Sequence, residues 1–177
     1  MHYSIKNAFI FSLVYMSFEV GMIIAGLQYS ENASFLSYAA SSGALMLAIA
    51  FTLYTSAKEN PDQAFITDIK SGLRTSGLYA VITALFIVVY HLYLVPDYAD
   101  IRIDMVKETA MNTPLEVIQQ NNPGLTKEDF VAMQADNASF WLTPKKIFPM
   151  VLLGIMLLGF VYTFAFTAIF RKVLFRN

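Results

Sequence analysis

Long runs of apolar residues alternate with short polar ones along the whole chain. Four runs, Ala8–Leu27, Ser34–Ser56, Thr75–Pro96 and Ile147–Phe170, carry almost no charge. Each is long enough, at about 1.5 Å per residue, for a helix to cross ~30 Å of hydrocarbon. Backbone polar groups in lipid must be satisfied within the segment, so apolar stretches of this length cross as helices. The pattern predicts an all-α membrane protein: four transmembrane helices in a bundle, one four-span domain over 1–177, and a long outer loop, 97–146, between spans three and four.

The polar connections refine this outline. Between spans two and three, Lys58-Glu59-Asn60-Pro61-Asp62 is rich in turn formers, and Phe65, Ile66 and Ile69 then give an apolar side at helical spacing. A short interfacial helix leading into span three is expected there. Pro96 closes span three, because proline lacks the amide that a continuing helix needs. In the outer loop, Thr113-Pro114-Leu115-Glu116 combines a capping hydroxyl, a proline at the first helical position and a carboxylate three residues after the cap. Thr126-Lys127-Glu128-Asp129 is a second start of this kind, and Asn121-Asn122-Pro123-Gly124 between them reads as a turn. Thr143-Pro144 opens span four, with Trp141, Lys145 and Lys146 at headgroup depth.

Within the spans, small residues recur every fourth position: Ser17, Gly21 and Ala25; Ala40, Ala44 and Ala48; Ser76, Ala80 and Ala84. Such faces let helix backbones approach closely in lipid, where packing replaces the hydrophobic drive. As interfaces with another chain, the stripes of spans two and three are favoured. Glu19 is the one ionisable residue near the middle of a span, where a carboxylate costs a few kcal/mol or more unless it is neutralised or faces a polar interior. It is either a structural hydrogen-bonding group or a proton- or ion-coupling one. His91 sits near the outer end of span three with Tyr79, Tyr90 and Tyr93 nearby in sequence, and reads as an interfacial hydrogen-bonding residue. Glu19 and His91 differ in depth by roughly two turns, so their contact is not expected.

Asp97, Asp100, Asp104 and Glu108 are spaced to lie on one side of a helix that resumes after Pro96. They read as a solvated face, since the spacing is not that of a calcium loop. The same segment also fits a strand, Asp100–Asp104. Two sequons, Asn32-Ala33-Ser34 and Asn137-Ala138-Ser139, read as coincidental.

Composition agrees with the pattern: 56% of the 177 residues are hydrophobic and 14% charged, outside the usual range of a soluble domain. A net charge of −1 gives no basic face for nucleic acid. The chain has no cysteine, which removes thiolate metal sites, disulfides and cysteine nucleophiles. The first span is too long for a secretory leader and is interrupted by Glu19. Lys6, Lys58, Lys70, Arg74, Arg171, Lys172 and Arg176 fall in short segments on one side, whereas the outer loop dilutes its positive charges with eight carboxylates. The positive-inside rule then places both termini in the cytoplasm.

The overall layout includes Gly21 and Gly26 in the first span, Ser42-Gly43 in the second and Asn60-Pro61 in the turn. Gln63-Ala64-Phe65 and Ser71-Gly72-Leu73 follow, and span three exits in Tyr93-Leu94-Val95-Pro96-Asp97-Tyr98 before an acidic helical loop. It resembles the small four-span inner-membrane proteins of Bacteroidota grouped as domain-of-unknown-function family 4199. The resemblance implies a bacterial inner-membrane location and supplies no functional residues. The expected function is that of a non-catalytic membrane component, an assembly or accessory protein packing through small-residue faces with itself or another membrane protein. The alternative is a small ion- or proton-coupled transporter subunit using Glu19. No cofactor, metal or catalytic residue is expected, since the short loops offer only Lys58, Glu59, Asp62, Asp68, Lys70 and Arg74, read as anchoring charges.

Overall fold

The computed structural model describes residues 2–30, 32–121 and 123–171. Its helices are α1 (His2–Ile24), α2 (Ala33–Glu59), α3 (Phe65–Val89), α4 (Tyr98–Asn112), α5 (Leu115–Asn121), α6 (Lys127–Leu142) and α7 (Pro144–Ile169), and a π-helical turn, Tyr90–Leu94, extends α3. Four helices, α1, α2, α3 with its π turn, and α7, are long and apolar enough to cross a membrane. The chain is thus an all-α, multi-pass membrane protein. It divides into two compact units, one formed by 1–86 and 149–177 and the other by 87–148.

In the first unit the usual polarity of a protein core is reversed. The buried face of α1 reads Ser4, Ala8, Ser12, Tyr15, Glu19 and Met22, while Phe9, Leu13, Val14, Phe18 and Ile24 are exposed. Lipid is as apolar as leucine, so large apolar side chains gain little by leaving it, and polar and small groups take the interior. The same logic governs α3, whose inner face carries Asp68, Gly72, Thr75, Ser76, Tyr79, Ala80, Thr83 and Ala84.

Side-chain pairs set the register. Ser4 pairs with Ser71 and Tyr15 with Phe86, so α1 and α3 run in the same direction. Asn7 pairs with Thr52 and Tyr15 with Ser37, so α2 runs opposite to α1. Ser42 pairs with Tyr162 at 2.7 Å and the ring of Tyr54 with that of Phe170, which aligns α7 with α2. Between α3 and α7 the backbones approach so closely that a Cβ on Gly72 would lie 2.5 Å from Thr163 Cγ2, and one on Gly159 would lie 2.3 Å from Ser76 Cβ. On α7 the residues that meet the bundle, Ile155, Gly159, Thr163 and Thr167, recur every fourth position.

In the second unit α6 packs against α4 and α5. Thr126 caps α6 as its spacing predicts: its hydroxyl accepts from the Asp129 amide at 3.2 Å and donates to the Asp129 carboxylate at 2.7 Å. Pro114 precedes α5 rather than opening it, and the expected Thr113 cap is not made, because that hydroxyl donates back to the Thr109 carbonyl of α4 at 3.0 Å; Pro144 is the first residue of α7. Ala110 of α4 and Ile118 of α5 are buried.

Several boundaries differ from the sequence expectation. Helix α1 begins at His2 rather than near Ala8, and α2 runs on to Glu59. There is no separate interfacial helix before span three; α3 starts at Phe65 and continues unbroken, because Asp68 and Ile69 share the inward face of the span itself. Asp100–Asp104 is helical, not a strand, since the helix resumes at Tyr98. Span three does not run as a regular helix up to Pro96: it closes through the π turn, with the Val95 amide donating to the Tyr90 carbonyl at 2.9 Å. Asn122, Lys172 and Arg176 lie outside the described residues.

The α3–α7 contact makes a contrast between two glycines that both lie in helices. Gly159→Ala should destabilise the protein by about 1–3 kcal/mol, through overpacking against Ser76. Gly21→Ala, with no atom within 4 Å of its added Cβ, should be neutral or stabilise by up to about 1 kcal/mol through helix propensity. Thermal unfolding of the two variants in mild detergent checks the difference.

Candidate functional site

The periodicity of α1 carries Glu19 to the inside. Ser12, Tyr15 and Glu19 are separated by three and four residues, one helical face, and Glu19 is 6% exposed. One of its carboxyl oxygens, Oε1, makes no hydrogen bond of ordinary geometry to a described residue. The carboxyl lies within electrostatic reach of the Tyr15 and Tyr79 hydroxyls. Tyr15 shares a hydrogen bond with Ser37 on α2 at 3.2 Å, and Tyr79 donates to the Ser41 carbonyl at 2.9 Å. Glu19 therefore sits where α1, α2 and α3 each present hydroxyl-bearing side chains. In so apolar a surrounding, a carboxyl has two states to choose between, a neutral one that can donate and a charged one that the hydroxyls must solvate.

A second polar cluster lies at the end where α1 begins and α7 finishes. Asp68, 3% exposed on the first turn of α3, receives the Arg171 guanidinium at 2.6 Å. The Gln63 side-chain amide donates to Asp68 and to the Ser56 hydroxyl, and Arg171 also donates to the Gln63 carbonyl. Tyr3 donates to Glu59 at the same end. Further into the bundle on the same side, Thr75 donates to Thr52 at 3.2 Å and Asn7 donates to Thr52 at 3.0 Å. The sequence reading took Asp68 and Arg171 for separate anchoring charges and missed their pairing across more than half of the chain. A signal was present: Asp68, Gly72, Thr75, Tyr79 and Thr83 follow one another at four, three, four and four residues, one continuous inward face.

The small-residue stripes are sorted differently from the expectation. Ala44, Ala48, Ser76, Ala80 and Ala84 are buried inside the bundle and Ala40 partly so. They are thus occupied by this chain's own helices rather than offered to another chain. Ser17, Gly21 and Ala25 are exposed, and nothing lies within 4 Å of a Cβ placed on Gly21. They form no packing face within the chain, because residues 17 and 21 lie about 200° around the helix from Glu19, and the carboxyl takes the inside.

His91 lies in the π turn of the second unit. Its ring is 4.5 Å from that of Tyr98 and 5.2 Å from that of Tyr90, and Arg102 stands 5.7 Å over Tyr98. Of the expected tyrosines Tyr90 is its neighbour, joined by Tyr98, whereas Tyr79 belongs to the Glu19 cluster and Tyr93 is 76% exposed. Asp97, Asp100, Asp104 and Glu108 are all exposed, Asp97 immediately before α4 and the rest along it, and Asp104 pairs with Lys107 at 3.0 Å. Among the described residues no group of three or more His, Asp or Glu is arranged to hold a metal ion. Asn137 accepts from the Trp141 indole at 2.9 Å, and Asn32 is exposed before α2.

The two buried carboxyls differ in their surroundings: Asp68 is paired with Arg171, whereas among the described residues no cation pairs with Glu19 and hydroxyls stand beside it. Comparison with protein-family models, with curated proteins and with solved structures returns no match to this chain.

Removing one partner of a buried pair leaves the other charge uncompensated. Arg171→Gln should lower the unfolding free energy by about 2–3 kcal/mol, short of the full buried-pair penalty because the Arg171 side chain is 30% exposed. The double change Asp68→Asn with Arg171→Gln should recover part of that loss. Unfolding in mixed micelles measures both.

Proposed function

We propose that this protein is a non-enzymatic, proton-coupled membrane component: a small four-span bundle, acting as a transporter subunit, that takes up and releases a proton at Glu19. The supporting observation is Glu19 Oε1, which makes no hydrogen bond of ordinary geometry to a described residue, on a buried side chain with the Tyr15 and Tyr79 hydroxyls in electrostatic reach. A carboxyl that served only to hold helices in register would be expected to have both oxygens engaged, since a fully satisfied polar network is what rigidifies a core. An incompletely engaged one can change its protonation state at a smaller structural cost. Ionisable groups inside a membrane bundle are characteristically those of proton or ion pathways.

A second reading rests on Ser17, Gly21 and Ala25, the small residues exposed along α1 and just past its end. It has this chain assemble with a second copy or with another membrane protein through α1, in place of the spans-two-and-three interface that intrachain packing has used up. In both readings the chain belongs with the four-span Bacteroidota proteins it resembles. It lies in a bacterial inner membrane with both termini cytoplasmic, an orientation supported by the exposed Lys6, Lys58, Lys70 and Arg74.

In proteoliposomes under an imposed potential, the protein should admit protons, read by an internal pH-sensitive dye. Glu19→Gln should reduce the signal to that of protein-free vesicles while elution and helix content stay unchanged. Flux that survives Glu19→Gln rules out the proton reading. The assembly reading expects Gly21→Leu to reduce the particle mass in mild detergent to that of a single chain; a wild-type protein already monomeric there excludes it.

A further inference from the structure

Among the polar groups inside the first unit, two clusters are separated by an interval. The lower cluster comprises Asp68, Arg171, Gln63, Ser56, Thr75, Thr52 and Asn7; the upper one Glu19, Tyr15, Ser37, Tyr79 and Ser41. On α2 the interval from Thr52 to Ser41 spans about 16 Å at the helical rise, and its inner side is apolar, with Leu45, Ala48 and Ile49 fully buried. On α1 and α3 the interval is polar. Ser12 stands about 7 Å along α1 from Asn7 and about 4–5 Å from Tyr15. The Ser4–Ser71 and Tyr15–Phe86 pairs put Ser12 level with Tyr79 and Thr83 on α3.

Ser12 in this interval, Thr83 one turn beyond Tyr79, and Glu19 above both, share a condition that Thr163 and Thr167 on α7 also have. Ser12 Oγ, Thr83 Oγ1 and Glu19 Oε1 belong to side chains 1%, 0% and 6% exposed, and none makes a hydrogen bond of ordinary geometry to a described residue, Thr83 lying only in loose reach of the Tyr79 hydroxyl and the Glu19 carboxyl in loose reach of Tyr15. A buried hydroxyl left without a partner costs on the order of 1–3 kcal/mol, and polar groups in this state are the ones that bind ordered water. Three of them, from two adjacent parallel helices and within about two turns of each other, meet the requirement of several polar partners for buried water.

We propose that ordered water occupies the bundle interior at Ser12, Thr83 and Glu19. It joins the two polar clusters into one path, entered from the end that the Asp68–Arg171 pair closes. The path gives Glu19 a route for its proton and so rests on the proton-coupled reading, but the water site itself stands on these three groups alone. The titratable neighbours of Glu19 are Tyr15 on its own helix and Tyr79 on α3; the α2 residues bonded to them, Ser37 and Ser41, do not ionise. Asp68 and Gln63 hold Arg171 across the entrance, so the same pair that anchors α7 to α3 limits access from that side.

The absence of cysteine from the chain makes the test direct. Ser12→Cys and Thr83→Cys, each the sole thiol in the full-length protein, are exposed to a small water-soluble methanethiosulfonate reagent, with Leu45→Cys as the dry control. The expected result is labelling at positions 12 and 83, none at 45, and faster labelling at 12 when Asp68→Asn is added. Thiols at 12 and 83 as inert as the one at 45, or a rate at 12 that Asp68→Asn leaves unchanged, overturns the proposal. If one cysteine variant fails to fold, the other carries the same comparison. Labelling as expected together with flux that ignores Glu19→Gln would retain the water path and remove the proton reading; inert thiols with Glu19-dependent flux would do the reverse.

Discussion

The placement of one carboxyl decides which side of α1 is the inside. A charged or merely unsatisfied carboxyl facing lipid costs several kcal/mol, more than any small-residue contact returns. Once Glu19 turns inward, Ser12, Tyr15 and Ser4 turn with it, and Ser17 and Gly21 are carried to the outside. The rest of the first unit follows from meeting that polar face with hydroxyls. Tyr79 reaches Ser41, Tyr15 reaches Ser37, and Thr75, Thr52 and Asn7 form a further knot about one to three turns away.

The fourth span is held by a different device. Its inner face offers few hydrogen bonds and relies on proximity: Gly159 receives Ser76, and Gly72 receives Thr163, each small residue making room for a hydroxyl-bearing one opposite. Dispersion falls away within an ångström of optimal contact, so this interface depends on the absence of two Cβ atoms. The Asp68–Arg171 pair fastens the same two helices at their common end. Close packing along the membrane and an ion pair at its edge thus act on one helix pair, and the path proposed for Glu19 opens beside it.

Much of this was legible in the sequence. The four spans, the cap at Thr126 and the inward carboxyl all follow from local rules: hydrocarbon thickness, helix-end hydrogen bonding and the cost of a charge in lipid. Even the outward turn of Gly21 could be read from its two-residue separation from Glu19, had the two been weighed on one helical wheel. The stripe Ile155, Gly159, Thr163 and Thr167 was equally open to inspection but sits in the most apolar span, where small residues draw little notice.

What the sequence by itself determined is the class of the protein, the number of its spans and the polar inner faces of α1 and α3, because hydrophobic length and helical periodicity act within a segment. Which small-residue face meets which helix was decided by the tertiary structure. So were the union of Asp68 with Arg171 and the stranding of Ser12, Thr83 and Glu19 without hydrogen bonds of ordinary geometry in one interior. Those outcomes depend on register between helices distant in the chain, and packing and hydrogen bonding across such an interface leave no mark in either segment alone.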